Sequence, residues 1–336
     1  MKILNSKGEP IVLNQREELV ANTVQRQVNA LGYEINITTL TTIMKKVTEQ
    51  KFFKIAPADY LPVRVGEGAW SSNLVTYRSF MLSDDFSTGV INTGGNNGRL
   101  AVGDAGVDSL SVKVANWAKS IGWSLFDLQL AAKSGNWDLV TAKEKSRKMN
   151  WDLGIQKVAF LGLSGDSSIL GLLNQSGVTN DTTTLTAPIS GLSTANLKAF
   201  CRVILDKYRA NCNRTAMPTH FIIPESDYLG LAAPASADFP IKSTLAVLEE
   251  TFQVMTGNKG FKILPLAYGD NEYNSLGVTR YVLLNYEEES IRMDIPVDYS
   301  NTLANSIDNF SFQNVGYGQF TGVLAYRPLE LYYLSY

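Results

Sequence analysis

A long helical pattern between residues 137 and 161 is the most informative feature of the chain. Its middle is basic, and its apolar positions lie near the two ends: Trp137, Trp151, Ile155 and Val158. Asn136 is placed to cap the helix, because an asparagine side chain can accept hydrogen bonds from the free N–H groups of the first turn. The pattern predicts one helix of about 25 residues, which at ~1.5 Å per residue would be about 40 Å long.

The residues before this helix predict an extended excursion. Residues 55–108 are rich in strand formers, above all the run 74–82, and a glycine- and asparagine-rich turn follows at 94–98. The excursion has the pattern of a long hairpin without a core of its own, which would be unusual in a compact enzyme unless it were functional. Residues 1–54 carry two helical patterns whose apolar faces are too small for an independent core. We expect these residues to form an arm that packs on something else.

Between the excursion and the long helix, the pattern predicts a strand and then a short helix. Apolar and polar residues alternate through 108–123, as they do in a strand with one buried face. Ser124 and Asp127 then have the spacing of a capping box. Gly135 is placed to end the short helix.

After the long helix, helices and strands alternate in a pattern typical of a compact α/β or α+β domain. The predicted elements are a helix at 194–211 capped by Ser193, a strand at 220–224, a helix at 242–256 and strands at 261–266 and 281–286. The predicted buried side of the first helix carries Leu197, Phe200, Cys201, Ile204, Leu205 and Tyr208. A threonine-rich linker at 178–188 places a domain boundary near Gly191, and residues 291–336 are rich in strand patterns.

Composition and charge narrow the function classes. Only 18% of the 336 residues are charged, and a subunit that buries much of its surface in interfaces needs fewer charges than a monomer. The net charge of −2 excludes a nucleic-acid binder defined by its overall charge, so any attraction to a genome must be local.

Cysteine usage and hydropathy predict a protein made in a cytoplasm. Cys201 and Cys212 are the only cysteines, and we expect free buried thiols in a reducing compartment. The N-terminal apolar run is too short for a signal peptide, and no window approaches the ~18 apolar residues that span a membrane.

Candidate catalytic chemistry is sparse. His220 is the single histidine, it has no GxSxG nucleophile elbow to serve, and we expect it to be a core residue with one hydrogen-bonded ring nitrogen. One histidine and two dispersed cysteines exclude zinc-finger spacing. The adjacent glutamates at 287–289 are typical of a solvated turn, although a carboxylate pair for hydrolysis stays open. We predict no catalytic residue, no metal site and no cofactor.

Two motifs carry a resemblance to a known family. The first is the corner after the long helix, with Gly162, Gly165, Asp166, Gly171, Leu172, Leu173 and Asn174. The second is the segment 322–329, a glycine-led "GV…YRP" pattern in an apolar strand. Together with the order of elements, they make the chain similar to the major capsid proteins of tailed bacteriophages with the Hong Kong 97 fold, in which such a strand closes the chain.

The resemblance implies an α+β fold of four parts. These are an N-terminal arm (1–54), an extended β-hairpin loop (55–108), a peripheral domain (109–190 and 286–336) with a spine helix at 137–161, and an axial domain (191–285). It also implies copies of the chain arranged as hexamers and pentamers in an icosahedral head shell around double-stranded DNA. The shell would be assembled in the host bacterial cytoplasm, with portal, scaffolding or decoration proteins as further partners.

Two sets of residues are candidates for the contacts of such a shell. The basic middle of the long helix, Lys143, Lys145, Arg147 and Lys148, is either a solvated face or an interior face that offsets DNA phosphate charge without reading sequence. Trp70, Tyr77, Phe80 and Phe86 lie on the excursion and are candidate intersubunit anchors, because large aromatic side chains on protruding elements favour interfaces. Some relatives cross-link through a lysine on the extended loop. This chain has no lysine between Lys54 and Lys113, so we expect non-covalent stabilisation.

Three alternatives remain open from the sequence. An encapsulin-like compartment shares the implied fold and would hold a cargo enzyme instead of DNA. A phage tail or adaptor component would form rings or tubes. A carboxylate-based hydrolytic enzyme would be a monomer or small oligomer with a deep acidic cleft.

Overall fold

The computed structural model describes residues 51–82, 104–133, 138–235, 242–308 and 310–336, with the backbone alone at 78–82, 104–105 and 132–133. The α-helices are α1 (Leu125–Lys133), α2 (Leu139–Leu161), α3 (Thr194–Asn211), α4 (Glu225–Gly230) and α5 (Thr244–Thr256). The strands of the first part are β1 (Val63–Val65), β2 (Asn73–Leu82), β3 (Asp104–Ser124), β4 (Thr179–Asp181), β5 (His220–Pro224) and β6 (Lys262–Leu266). Those that follow are β7 (Arg280–Leu284), β8 (Ile291–Ile295), β9 (Val297–Asn301), β10 (Asn305–Ser306), β11 (Ser311–Thr321), β12 (Val323–Ala325) and β13 (Leu331–Ser335).

A five-stranded mixed sheet in the order β4-β13-β7-β5-β6 organises the hydrophobic core. Its strands divide their side chains between two clusters, because successive residues of a strand point to opposite faces. On β7, Val282 and Leu284 belong to one cluster, whereas Tyr281 and Leu283 belong to the other. Both faces are therefore covered, which explains why β5 and β7 are apolar at nearly every position.

Helices supply the cover on each face. The C-terminal part of α2 packs in the first cluster through Trp151, Ile155 and Val158, as predicted for that end of the long helix, while Trp137 lies outside the described residues. Helices α3 and α5 pack in the second cluster. Ser193 caps α3 by accepting from Asn196 N. All six side chains predicted for the buried face of α3 are buried: Leu197, Phe200, Cys201, Ile204, Leu205 and Tyr208.

The start of the long helix differs from the sequence prediction. Helix α2 begins at Leu139, and Asp138 caps it, since its Oδ1 accepts from Thr141 N at 3.0 Å and its Oδ2 from Thr141 Oγ1 at 2.6 Å. Asn136, the predicted cap, lies outside the described residues, and it is Asp138 that satisfies the N–H group at the third helical position. The capping box before α1 is confirmed: Ser124 N donates to Asp127 Oδ2, and Asp127 N donates to Ser124 Oγ.

The corner after α2 is a close approach of backbone to backbone. Gly162 has φ +76°, the left-handed conformation that ends many helices. A Cβ on Gly171 would lie 2.4 Å from Gly162 N and 2.5 Å from Leu161 N. The Asn174 side chain closes the corner, since its Oδ1 accepts from Gly171 N and its Nδ2 donates to Leu161 O. The motif that carried the resemblance therefore encodes a specific tight turn.

The "GV…YRP" segment is not the last strand. Val323 N donates to Leu170 O at 2.7 Å, and a Cβ on Gly322 would lie 2.7 Å from that same oxygen, so glycine is needed there. The segment then turns through a short 3-10 helix at Pro328–Glu330, and β13 follows in the central sheet. The expectation that this segment closes the chain as a strand is wrong, because β12 ends at Ala325 and β13 (Leu331–Ser335) follows it.

The threonine-rich linker contains a strand. Residues 179–181 form β4, which pairs in parallel with β13 at Tyr332–Leu334. Asp181 accepts hydrogen bonds from the backbone and hydroxyl of both Thr183 and Thr184, and its Oδ2 accepts from Lys207 Nζ at 2.7 Å. The threonines therefore hold a buried carboxylate at the edge of the sheet.

The chain divides into two compact units. The described residues of the first are 51–53, 120–133, 138–147, 302–308 and 310–315, and the second holds the remainder, including both hydrophobic clusters. The sheet of the second unit contains β5, β6 and β7 from 191–285 together with β4 and β13 from outside that range. The four-part domain division stays a prediction. Its boundary near residue 286, between the axial and peripheral domains, assigns neighbouring strands of this one sheet to different domains.

Candidate interaction surfaces

Within the second unit, strands β2 and β3 form a ribbon. Strands β2 and β3 pair antiparallel from Asn73↔Lys113 to Leu82↔Asp104. The pairs from Arg78↔Asp108 to Leu82↔Asp104 lie within the predicted excursion at 55–108, whereas residues 73–77 pair with 109–113, in the strand predicted separately at 108–123. The predicted turn at 94–98 lies outside the described residues. The inner face of the ribbon base carries Leu74 and Val112, which pair across the strands.

The opposite face of the ribbon is apolar and exposed. Val75, Tyr77 and Val107 are 54%, 74% and 69% exposed. Their cross-strand partners are Ser111, Ser109 and Ser79, so the face carries no charged residue at these six positions. Exposed apolar side chains in a row favour a protein interface over open solvent.

The predicted aromatic anchors divide between described and undescribed residues. Trp70 and Tyr77 are exposed, at 71% and 74%. The side chain of Phe80 and the whole of Phe86 lie outside the described residues. The anchor role stays a prediction for all four.

Trp70 is held in an unusual backbone conformation. Its φ is +64°, in the left-handed region that costs a bulky residue about 1–2 kcal/mol. Its N–H donates to Gln319 Oε1 at 2.7 Å, and Gln319 Nε2 donates to Asn116 Oδ1 at 2.6 Å. Gln319 is only 4% exposed. This buried amide therefore fixes the backbone of Trp70 and the β3 strand together.

A cavity of about 400 Å³ opens beside Trp70. We call it the Trp70 socket, and the side chains that shape it are Trp70, Ser72, Asn116, Trp117, Tyr317 and Gln319. The rings of Trp70 and Tyr317 have their centroids 5.7 Å apart. Below it, Trp117 packs on Trp151 with centroids 5.3 Å apart, which anchors the socket to the hydrophobic core.

The basic middle of the long helix is not one continuous face. Arg147 is 1% exposed, and its Nη1 donates to Asn314 O at 3.0 Å and Asn314 Oδ1 at 2.9 Å. Lys143 is half-buried and donates to Gly122 O at 2.7 Å. Lys145 and Lys148 are exposed. The prediction that Arg147 belongs to a solvated or DNA-facing basic face is wrong, because its guanidinium is buried and bonded to Asn314 inside the first unit.

Asn314 is the residue that sequence reasoning missed at this place. Its side-chain amide accepts a hydrogen bond from Arg147 and donates one to Glu144 Oε1 at 2.7 Å. The amide therefore links two oppositely charged side chains of the helix. Nothing in the pattern around residue 314 indicates this role, since it depends on a contact across 167 positions.

The first unit also exposes apolar side chains. Phe126 and Leu130 are 68% and 65% exposed on α1, and Leu303 and Ile307 are 87% and 63% exposed. Phe126 packs edge-on against Phe310, with ring centroids 4.9 Å apart. A unit this small with so much exposed apolar surface favours burial against a partner.

His220 is a core residue, as predicted. It is buried, stacks on Tyr286 with centroids 4.8 Å apart, and its Nδ1 shares a hydrogen bond with Thr219 Oγ1 at 3.0 Å. Burial, and to a lesser extent Lys262, lowers the pKa of His220 from its ordinary 6.5 to about 4. The ring is therefore neutral near pH 7 and rests against an aromatic neighbour instead of a nucleophile.

The glutamate run is a solvated turn, as predicted. All three side chains at 287–289 are exposed, and Arg327 pairs with Glu289 at 2.7 Å and more distantly with Glu287 at 3.8 Å. The arginine of the "YRP" motif is therefore neutralised by local carboxylates.

The cysteines are free and buried, as predicted. Burial raises the pKa of the Cys201 thiol to about 12. Within the described ranges, no three His, Cys, Asp or Glu side chains come together in a way that could hold a metal ion. The helices seen in that part of the chain are all too short or too polar to cross a membrane.

Several solved structures match the chain over most of its length. The match to the capsid of Myoviridae Phage XM1 has a TM-score of 0.70 at 16% identity and covers 90% of this chain and 99% of that one. The capsid of a native GTA particle gives 0.58 at 12% identity, with 91% and 98% covered, and Mycobacterium phage Ogopogo gives 0.54 at 9%, with 92% and 98% covered. Identities this low show a shared fold, and that fold is the Hong Kong 97-like capsid fold that the corner motif predicted.

The sequence itself matches one family. No curated protein sequence matches the chain. The family described as "Major capsid protein" matches residues 93–336, which is most of the chain. Neither an encapsulin-like compartment nor a hydrolytic enzyme is favoured by these findings. On this match and this fold, the chain belongs to the major capsid protein family.

Proposed function

We propose that copies of this chain assemble into hexamers and pentamers that tile the icosahedral head shell of a tailed phage around its double-stranded DNA. The observation that carries the proposal is the β2–β3 ribbon, whose outer face leaves Val75, Tyr77 and Val107 exposed in a single copy. A shell subunit covers such a face with its neighbours, and membership of the capsid family supports this use of it.

The proposed stabilisation of the shell is non-covalent. No lysine lies between Lys54 and Lys113, so the extended loop at 55–108 has no lysine to join to a neighbour in the way that some relatives do. Many modest contacts around each subunit would then add up through multivalency.

The proposed division of labour follows four parts of the chain. Residues 1–54 form an arm and 55–108 an extended loop, both reaching other subunits. Residues 109–190 and 286–336 form the peripheral domain, and residues 191–285 the axial domain. Assembly takes place in the host bacterial cytoplasm, with portal, scaffolding or decoration proteins as further partners and no enzymatic activity of the subunit.

In this proposal, Lys145 and Lys148 are the residues of the long helix that contact packaged DNA. Both are exposed, whereas Arg147 is used internally. Such contacts offset phosphate charge without reading sequence, so they weaken as salt rises. Replacing both lysines with glutamine and measuring genome retention tests this part; unchanged packaging would indicate a merely solvated helix face.

Electron microscopy of the purified full chain tests the whole proposal. We expect closed shells of uniform diameter, and in phage-infected cells shells that protect double-stranded DNA from nuclease. Shells that enclose a cargo enzyme would point to a cellular compartment, and rings or tubes would point to a tail or adaptor component. Either result would overturn the proposal.

A further inference from the structure

The Trp70 socket has the properties of a protein-binding site. The volume of about 400 Å³ is large enough for an aromatic side chain, and none of the described residues that line the socket is charged. Cores of protein interfaces share this composition, since they are depleted of charge and enriched in Trp and Tyr. A nucleic acid or another strongly charged ligand would find no complementary group there.

The socket is held open by its own structure. The buried Gln319 side chain accepts a hydrogen bond from the N–H of Trp70 and donates one to the Asn116 side chain. These two hydrogen bonds keep Trp70 in its left-handed conformation. Trp70 stays 71% exposed in this conformation. The fold therefore tolerates the backbone strain in order to hold the ring beside the socket. Fixing a binding group before the partner arrives lowers the entropy cost of association.

The same chain carries a matching projection. Tyr77 is 74% exposed on the outer face of the ribbon, beside Val75 and Val107 and opposite Ser109. It cannot fill the socket of its own chain, because β2 is a regular strand from Asn73 onward and carries Tyr77 roughly 13 Å along its axis at ~3.3 Å per residue.

We propose that Tyr77 of one copy enters the Trp70 socket of the next copy, an inference that rests on the proposed shell function. A projection on one surface and a cavity on another give a head-to-tail contact, and such contacts close into rings when the rotation between subunits is right. Hexamers and pentamers are rings of this kind. The socket thus takes one occupant, an aromatic side chain of a second copy.

A cysteine trap between two different preparations tests the contact. One preparation carries Tyr77→Cys and the other carries Ala118→Cys, at a position that also lines the socket. Shells assembled from the mixture and then oxidised should give a two-subunit band on a non-reducing gel, and this band should disappear with reductant. Shells made from either variant alone should not give it, and the native Cys201 and Cys212 are buried and should stay unreactive.

A matched control uses Val254→Cys in place of Ala118→Cys, because Val254 is 82% exposed and lies far along the sequence on α5. No two-subunit band is expected from Tyr77→Cys with Val254→Cys. If the Tyr77→Cys and Ala118→Cys mixture forms shells yet runs wholly as single subunits, the inference is overturned.

Assembly thresholds give a second, independent readout. Tyr77→Ala should raise the concentration needed for assembly about 10-fold or more, since truncation of a central anchor costs at least that much. Tyr77→Phe should assemble within about 3-fold of the unchanged chain, because it keeps the ring. Equal thresholds for Tyr77→Ala and the unchanged chain would refute the contact while leaving the shell function intact. Failure of the unchanged chain to form any shell would instead refute the proposed function, and this inference with it.

Discussion

Gly162 and Gly171 meet at the end of the long helix, where a Cβ on Gly171 would come within 2.4 Å of Gly162 N. Both glycines belong to the motif from which the family was predicted. Their contact lets the chain reverse directly onto the helix end, so that Leu172 and Leu173 become fully buried. The position of the helix relative to the core therefore depends on both of these residues being glycine.

Gly171→Ala should destabilise the subunit. The new methyl group would overlap backbone atoms at 2.4–2.5 Å, which cannot move aside as a side chain can, and overpacking of this kind costs about 1–3 kcal/mol or more. Denaturant unfolding of the unassembled subunit measures the loss. Gly165→Ala is the control, because nothing lies within 4 Å of its Cβ position, and it should change the unfolding free energy by less than about 0.5 kcal/mol. Equal effects of the two changes would contradict the account of the corner.

Arg147→Met should lower the free energy of unfolding by about 3 kcal/mol, because it leaves the buried Asn314 oxygens without their charged donor. Lys148→Met, one position further along the same helix and exposed, should change it by about 0.5 kcal/mol at most. If Arg147→Met were as stable as the unchanged chain but lost packaged DNA, the assignment of Arg147 to an internal network would be wrong.

The pH dependence of stability should report His220. Its pKa is lowered from 6.5 to about 4 in the folded subunit, so the unfolded chain binds the proton at a higher pH than the folded one. The stability due to the neutral ring is therefore complete above pH 6.5 and is lost as the pH falls toward 4. Between pH 7 and 5 we expect a loss on the order of 2 kcal/mol. Because the chain has a single histidine, His220→Gln should remove most of this slope, and an unchanged slope would contradict the prediction.

Trp70→Gly should separate folding from assembly. Glycine adopts positive φ without strain, and the lost ring is mostly exposed, so the unfolding free energy should change by less than about 1 kcal/mol. Assembly should nevertheless weaken, since the socket loses one wall. Thermal unfolding of the subunit and light scattering during assembly measure the two effects. A Trp70→Gly subunit that unfolds at a lower temperature but assembles like the unchanged chain would contradict both expectations.

Local signals predicted the elements that depend on local physics. Ser193 and the apolar stripe behind it define the whole of α3, from Thr194 to Asn211, because the cap and the helical period both lie within the segment. The capping box of Ser124 and Asp127 is predictable for the same reason. His220 could be assigned to the core because an isolated histidine before an apolar run has no catalytic neighbours in the sequence.

Long-range partners account for the misses. Arg147 looked like part of a basic face until Asn314, 167 positions away, was found to take its guanidinium. The threonine-rich segment looked like a linker because its pairing partner, Tyr332–Leu334, lies at the other end of the chain. Gln319, which sets the conformation of Trp70, carries no local signal at all. Sequence pattern alone does not contain these contacts, since only the fold brings their residues together.

Sedimentation velocity of the purified full chain across a wide concentration range tests most directly whether the subunit completes its burial with copies of itself. We expect a discrete, fast-sedimenting species of closed-shell mass to appear above a threshold concentration, and that threshold to rise in Tyr77→Ala. A single 36.9 kDa species at every concentration would contradict the account.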